Sequence, residues 1–165
     1  MLKKWILIGI CGFFLTGCAQ TTFETLGDVN HQPVVAPVAR EVILELPQDT
    51  VQAVWEREDD TLYICDDYSI HLQTLDAGDL NSAIRSLSGF DKDALTVLES
   101  RCGDHKRYEW VWTAAGEGGD VICRCTLLYD GAFFYAVTVT ANADTAGSCN
   151  QQWNSLMASF CLEDN

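Results

Sequence analysis

From residue 41 onward, apolar and polar residues alternate in short runs, which is typical of β-strands whose two faces meet different surroundings. Turn residues separate the runs: Asp59-Asp60, Asp66-Asp67, a glycine-rich segment at 116–120, and Asp130-Gly131. The predicted strands are residues 41–46, 51–57, 62–65, 68–75, 94–98, 106–113, 121–128 and 132–141. Of these, 94–98 also suits a short helix.

Two segments have a helical period instead. The first is predicted to begin after Asp79, a helix-capping residue, and to end before Gly89. Its apolar face consists of Leu80, Ala83, Ile84 and Leu87. A final helix, capped by Ser148 or Asn150, has an apolar stripe formed by Trp153, Leu156, Met157 and Phe160.

This order of strands, helix, hairpin-connected strands and helix predicts an α+β fold, in which an antiparallel β-sheet is packed by helices. Alternation also assigns the faces of the strand at 121–128. One face consists of Val121, Cys123, Cys125 and Leu127, and the other of Ile122, Arg124, Thr126 and Leu128.

The amino-terminal segment has the three parts of a secretory signal peptide. Lys3 and Lys4 precede an apolar run that ends at Leu15, and small residues follow the run. The run is shorter than the roughly 20 apolar residues that a membrane-spanning helix needs. The signal peptide is therefore expected to be removed after export.

The segment Leu15-Thr16-Gly17-Cys18 resembles the lipobox of bacterial lipoproteins. The resemblance implies cleavage before Cys18 and attachment of a diacylglyceryl group to the Cys18 thiol. Two or more acyl chains, palmitate among them, give stable anchoring to the membrane, because each buried methylene contributes about 0.8 kcal/mol. The expected location is the extracytoplasmic side of a bacterial membrane, in the cell envelope, and an ordinary secreted protein is the alternative.

Three regions follow from these features: a signal peptide at 1–17, the lipidated Cys18 with a flexible tether at 18–40, and an α+β domain at 41–165. Pro33 and Pro37 keep the tether from forming a helix. The chain has 24 acidic and 10 basic residues, for a net charge of −14. Because such a surface repels nucleic acid, we expect no nucleic-acid partner.

Six cysteines remain after the signal peptide and Cys18 are set aside: Cys65, Cys102, Cys123, Cys125, Cys149 and Cys161. An even set in an exported domain predicts a disulfide-stabilised fold, with the connectivity left open. The alternative is a zinc site, built from Cys102 and His105 with Cys123 and Cys125. We favour disulfides, and expect neither a metal nor a cofactor.

From Glu41 onward, the order of elements resembles the PsbP-like fold, an α/β/α sandwich found in many exported bacterial lipoproteins. The resemblance covers residues 41–162. The residues that carry it are 44–47 (Leu-Glu-Leu-Pro), 87–90 (Leu-Ser-Gly-Phe), 115–120 (Ala-Gly-Glu-Gly-Gly-Asp), Asp130-Gly131 and Ser159-Phe160. It implies a binding or accessory role rather than a reaction, and it supplies no functional residues.

A candidate binding face is formed by Tyr108, Trp110 and Trp112, which alternate on one face of a predicted strand. Exposed, they would form an aromatic platform for a glycan or an envelope protein; buried, they would be core, which we favour. No catalytic motif is present. The sequence thus predicts a membrane-anchored lipoprotein with a non-catalytic binding or accessory role, and the alternatives are a carboxylate-dependent hydrolase and a small-ligand-binding lipoprotein.

Overall fold

Long, antiparallel strands dominate the computed structural model, which describes residues 36–50, 53–57 and 59–163. The strands of these residues are β1 (Val42–Ile43), β2 (Trp55–Arg57), β3 (Asp60–Ile64), β4 (Tyr68–Asp76), β5 (Leu98–Cys102), β6 (His105–Gly116), β7 (Gly119–Tyr129), β8 (Phe133–Asn142) and β9 (Cys161–Leu162). Seven of them form one antiparallel sheet in the order β2-β3-β4-β8-β7-β6-β5. A separate antiparallel pair joins β1 to β9.

One helix packs against each face of the seven-stranded sheet. The first helix, α1 (Leu80–Ser88), and the second, α2 (Asn150–Ser159), are both short. On the α1 face, the core contains Tyr108, Trp110, Trp112, Cys123, Cys125, Leu127, Phe134, Ala136, Ala83 and Ile84. On the α2 face, it includes Tyr68, Ile70, Leu128, Tyr135, Val137, Val139, Trp153, Leu156, Met157 and Phe160. Alternation along β7 and β8 supplies both cores, as the pattern at 121–128 predicted.

Both ends of α1 form as predicted. The Asp79 carboxylate accepts a hydrogen bond from the Ser82 amide at 3.0 Å, which satisfies one of the free N–H groups of the first turn. Gly89 takes a left-handed conformation, with φ of 81°, and its N–H donates to the Arg85 carbonyl at 2.8 Å. The helix is thus bounded by local chemistry at each end.

The ends of α2 depend on tertiary contacts instead. Its N-cap residue is Cys149, which makes no side-chain capping bond, so the predicted caps Ser148 and Asn150 are wrong. Near the other end, the Arg107 guanidinium donates to the Met157 carbonyl at 2.8 Å, which places a cation where the helix dipole favours one. The predicted apolar stripe is confirmed, because all four of its residues are buried.

Several predicted strands change their limits. The strand expected at 41–46 is reduced to β1, because that segment pairs only with the two-residue β9, which the sequence did not predict. Asp60, expected in a turn, begins β3. The strand expected at 94–98 is wrong: Lys92–Ala94 forms a 3₁₀ turn and β5 begins at Leu98.

The structure corrects the predicted fold class. Instead of a disulfide-stabilised α+β domain, the described residues form a β-rich fold, mainly antiparallel sheet with two helices. The six cysteines from Cys65 to Cys161 are all free thiols. The physical reason for the β-rich fold is that strand-type alternation continues through three long neighbouring strands, β6, β7 and β8, of 12, 11 and 10 residues. The two helices have only 9 and 10 residues.

The segment before β1 is tied to the sheet at Arg40. Its backbone N–H donates to the Tyr135 hydroxyl at 2.7 Å, and its guanidinium lies 3.8 Å from the Asp130 carboxylate. The domain boundary predicted at residue 41 stays a prediction. In the described part of the chain, no helix is both long enough and apolar enough to cross a membrane.

Candidate functional site

Half of the α1 face has no helix over it. The apolar side of α1 packs on β6, β7 and β8, and of β4 its core includes only Leu75. On this face, a row of directly paired residues crosses six of the seven strands, from β6 to β2: Trp110, Cys125, Thr138, His71, Leu62 and Trp55. Along this row, exposure rises from 2% at Trp110 to 43% at Trp55. The β2–β4 end of the row is therefore open to solvent.

A polar and aromatic cluster occupies this open end; we call it the Trp55 face, consisting of Trp55, Arg57, Asp60, Leu62 and His71. His71 Nε2 and Asp60 Oδ1 form a short hydrogen bond. The Trp55 and His71 rings meet edge to face, with centroids 6.0 Å apart. The Arg57 guanidinium carbon lies 5.6 Å from the Trp55 ring centroid, within cation–π range. The cluster combines an exposed ring with hydrogen-bonding groups of both charges.

This arrangement suits binding better than catalysis. Among the described residues, no hydroxyl or thiol hydrogen-bonds to His71, so the His71–Asp60 pair lacks the nucleophile that a triad requires. Ser69 lies on the same face two residues before His71 on β4, but its hydroxyl makes no hydrogen bond to His71. The cluster can therefore orient a ligand by hydrogen bonds and ring contact.

Tyr108, Trp110 and Trp112 are buried, which agrees with the favoured interpretation of this face as core and not with an aromatic platform. These side chains are 5%, 2% and 8% exposed, and they lie under α1 with Ile84. Alternation placed them correctly on one face of β6. That face is core because α1 packs over it. The periodicity of a strand does not predict where a helix will pack.

The cysteines divide between the two sides of the sheet. Cys123 and Cys125 belong to the α1 core, whereas Cys65 and Cys149 belong to the α2 core. Two of these thiols form hydrogen bonds with oxygen atoms. The Cys123 sulfur accepts from the Thr140 hydroxyl at 3.5 Å, and the Cys149 thiol donates to the Thr145 carbonyl at 3.5 Å. Burial raises the pKa of the Cys125 thiol to about 12. Such a thiol is protonated at neutral pH, so it is not an activated nucleophile.

The zinc alternative fails on geometry. Cys102 and His105 are paired at the β5–β6 hairpin, on the α2 side of the sheet. Cys123 and Cys125 lie on the α1 side, opposite Trp112 and Trp110 on β6. The sheet therefore separates the two pairs. Within residues 36–50, 53–57 and 59–163, no group of three or more potential ligands converges on one point.

Among the described residues, four carboxylates have a perturbed pKa, and all four shifts are downward. For Glu109, burial raises the pKa, but hydrogen bonds from Arg107 and Thr126 and the nearby charges more than offset it. For Asp79 and Asp91 the leading cause is a side-chain hydrogen bond, from Ser82 and Arg85 respectively. For Asp130, burial raises the pKa, but hydrogen bonds and the Arg40 charge more than offset it. A general acid for glycoside hydrolysis needs the opposite shift.

The α2 side of the sheet has an open cleft of about 660 Å³ near the β5–β6 hairpin. It is lined by Arg40, Cys102, Gly103, Asp104, His105, Leu128, Cys161 and Leu162. Its size falls in the range of ligand pockets, but its lining lacks the Phe, Tyr and Trp side chains that such pockets usually contain. The structure thus brings two of the predicted cysteines, Cys102 and Cys161, to the same cleft.

Cys18 and Trp55 differ from the other site residues, because the structure does not describe the first and the sequence did not predict the second. Cys18 lies outside the described residues, so its lipidation stays a prediction. Trp55 lies within the strand predicted at 51–57, but it was not predicted as a site residue. Its exposure follows from the position of α1, which does not reach β2, and the residues around Trp55 carry no signal of that position.

Comparison with known proteins identifies a fold and no family. No family model matches the chain, and no curated protein matches it. Among solved structures, LpqN, involved in cell envelope biogenesis of Mycobacterium tuberculosis, is similar at 12% identity and a TM-score of 0.50, over 78% of this chain and 86% of LpqN. A Bacteroides thetaiotaomicron protein is similar at 14% identity and a TM-score of 0.52. That match covers 75% of this chain but 46% of the Bacteroides protein.

At these identities the likeness concerns the fold alone. It fits the PsbP-like order of elements expected from residues 41–162.

Proposed function

We propose that this protein is a membrane-anchored, extracytoplasmic lipoprotein whose domain binds a cell-envelope glycan without catalysing a reaction. The observation that carries the proposal is the Trp55 face, where an exposed indole stands beside Arg57, Asp60 and His71. Sugar rings offer an apolar face bordered by hydroxyl groups. An exposed aromatic ring surrounded by donors and acceptors is complementary to that pattern.

Location and fold support the same proposal. The lipobox at 15–18 would place the domain at a membrane surface in the envelope. LpqN, which has a similar fold, is described as involved in cell envelope biogenesis. The strongly acidic chain, at −14, fits an uncharged or cationic partner better than a nucleic acid.

Neither alternative has comparable support. A carboxylate-dependent hydrolase would use an acid with a raised pKa, whereas every shifted carboxyl among the described residues has a lowered pKa. A small-ligand-binding role would rest on the cleft at Cys102 and Cys161, which is open and is lined by no Phe, Tyr or Trp.

The test is co-sedimentation of the full chain with insoluble cell-wall polymer. We expect the unaltered chain to bind and Trp55→Ala to lose at least about tenfold in affinity, as is common for a central aromatic contact. Val111→Ala is the matched control, because Val111 is 55% exposed on the opposite face of the sheet. Equal binding by Trp55→Ala and the unaltered chain, or no binding by either, contradicts the glycan proposal.

Anchoring is tested separately with Cys18→Ser. In cells supplied with labelled palmitate, the unaltered chain should take up label and Cys18→Ser should take up none, since the variant has no thiol to carry the diacylglyceryl group. Equal labelling of Cys18→Ser and the unaltered chain would argue against lipidation at Cys18.

A further inference from the structure

The outer edge of β5 is an unpaired strand edge with an unusual charge pattern. Strand β5 is the last strand on its side of the sheet, and residues 98–101 are all exposed. In the described part of the chain, their only backbone hydrogen bonds are those of the β5–β6 ladder. Unpaired edges of this kind are templates for another strand. Here the edge reads Leu-Glu-Ser-Arg-Cys, with opposite charges on either side of Ser100.

Symmetry limits how two copies of this edge can pair. In an isologous dimer with an antiparallel junction, the two-fold axis is perpendicular to the sheet, so each side chain stays on its own face. Two residues that oppose each other across the junction must lie on the same face of the sheet. Because side chains alternate along a strand, the numbers of these two residues differ by an even number. The axis therefore passes through a residue, and the central choices are Glu99, Ser100 and Arg101.

Charge selects one of these three registers. An axis through Glu99 places the two Glu99 carboxylates opposite each other, and an axis through Arg101 does the same with two guanidinium groups. Both registers are disfavoured, because like charges directly opposite each other are destabilising. An axis through Ser100 opposes Glu99 of each copy to Arg101 of the other, so it forms two ion pairs. Neither side chain has an ion-pair partner among the described residues of its own chain.

We propose that β5 pairs antiparallel with β5 of a second copy, about a two-fold axis through Ser100. The two seven-stranded sheets then form one continuous sheet across the junction. On the α1 side, the two Glu99–Arg101 pairs flank the axis. On the α2 side, Leu98 of each copy opposes Cys102 of the other, which covers Leu98, now 63% exposed. The inference does not depend on the proposed glycan function.

The opposite edge of the sheet does not favour self-pairing. Strand β2 has three residues, and its centre is Glu56, so a two-fold axis there opposes two glutamates. Pairing of β2 with β5 of another copy would be heterologous and would generate an open chain of molecules. Of the two edges of the sheet, β5 is therefore the one at which the charges of two copies are complementary.

The test is sedimentation equilibrium of the purified full chain in detergent, over a concentration series, with charge-reversed variants. We expect the unaltered chain to show a monomer–dimer equilibrium. Glu99→Arg and Arg101→Glu, each alone, should raise the dissociation constant about tenfold or more, because two ion pairs become two repulsions. An equimolar mixture of the two variants should form a heterodimer as tightly as the unaltered chain dimerises, since its opposed charges are again complementary.

Two controls keep the result specific to the edge. Glu117→Arg makes the same charge reversal in the exposed β6–β7 turn and should leave dimerisation unchanged. The circular dichroism spectrum of each variant should match that of the unaltered chain, since both β5 positions are on the surface. A monomeric unaltered chain, or a mixture no tighter than the separate variants, overturns the proposal.

Discussion

Asp130 holds the β7–β8 hairpin together through three hydrogen bonds. One carboxylate oxygen accepts from the Ala132 and Phe133 amides at 2.8 Å each, and the other accepts from the Tyr135 hydroxyl at 2.8 Å. The side chain is 6% exposed, and Arg40 lies beside it. Burial alone would raise the pKa of Asp130, but the two amides, the hydroxyl and the Arg40 charge together lower it.

Asp130→Asn is expected to destabilise the fold at neutral pH and to do so less in acid. The amide cannot accept from Tyr135 and pair with Arg40 in the same way, so we expect a loss of about 1–3 kcal/mol near pH 7. Because the folded-state pKa lies below the unfolded value of about 3.9, the contribution of Asp130 is present above that pH. It is lost as the pH falls through the folded-state pKa.

Chemical unfolding at about pH 7 and about pH 3 measures this difference. Asp144→Asn is the control, because Asp144 is an exposed aspartate that makes no side-chain hydrogen bond within the described residues. A loss for Asp130→Asn that is as large in acid as at neutral pH would contradict the assigned role of the ionised carboxylate.

At the residue scale, the sequence predicts which side chains share a face, but not what covers that face. Alternation correctly put Trp110 and Trp112 together on β6, whereas Trp55 lies on β2, within the strand predicted at 51–57. All three belong to the same side of the sheet. Their exposure differs because α1 packs over β6 and does not reach β2, and the docking position of a helix depends on contacts distant in sequence.

At the scale of helices and strands, the two helices differ in whether nearby residues determine where they begin and end. Asp79 and Gly89 bound α1 with side-chain and backbone bonds between near neighbours, so their residue types predict both ends. In α2, the capping residue Cys149 makes no side-chain capping bond, and Arg107 reaches the last turn from β6. The start of α2 therefore had no reliable signature in its own segment.

Gly89→Ala tests the left-handed end of α1. A side chain at φ of 81° is strained, and we expect a cost of about 1–2 kcal/mol in the free energy of unfolding. Space is not the cause, because a Cβ at Gly89 would meet no atom within 4 Å. Gly78→Ala is the matched control, since that position is equally open and its φ is not in the left-handed region.

Denaturant unfolding of both variants gives the comparison. Gly78→Ala should stay within about 0.5 kcal/mol of the unaltered chain. If the two variants lose the same amount, the conformation assigned to Gly89 is wrong.

At the scale of helices and strands, the sequence predicts hairpins but not the pairing of strands that are distant along the chain. The hairpins β5–β6, β6–β7 and β7–β8 join consecutive strands, and the turns of the last two were predicted from residue type. The junction of β4 with β8, and that of β1 with β9, bring together strands far apart in sequence. Such pairings leave no local pattern, which is why the sheet order and β9 were not predicted.

At the scale of the whole molecule, one sheet supplies both cores. Along β7, Cys125 and Leu127 face the α1 core, while Thr126 and Leu128 point to the other side. Along β8, Ala136 faces α1 and Val137 faces α2. Neither core can lose these strands without removing half of the other, so the two cores should unfold together.

Two tryptophan variants test this coupling, because each leaves buried indoles in one core only. In Trp153→Phe, the buried reporters are Trp110 and Trp112 of the α1 core; in Trp110→Phe/Trp112→Phe, the buried reporter is Trp153 of the α2 core. Within each variant, the denaturant midpoint from tryptophan emission should equal that from far-ultraviolet circular dichroism, which follows the whole sheet. A fluorescence midpoint that precedes the circular dichroism midpoint in one variant would mean that its core opens while the sheet persists, and would contradict the coupling.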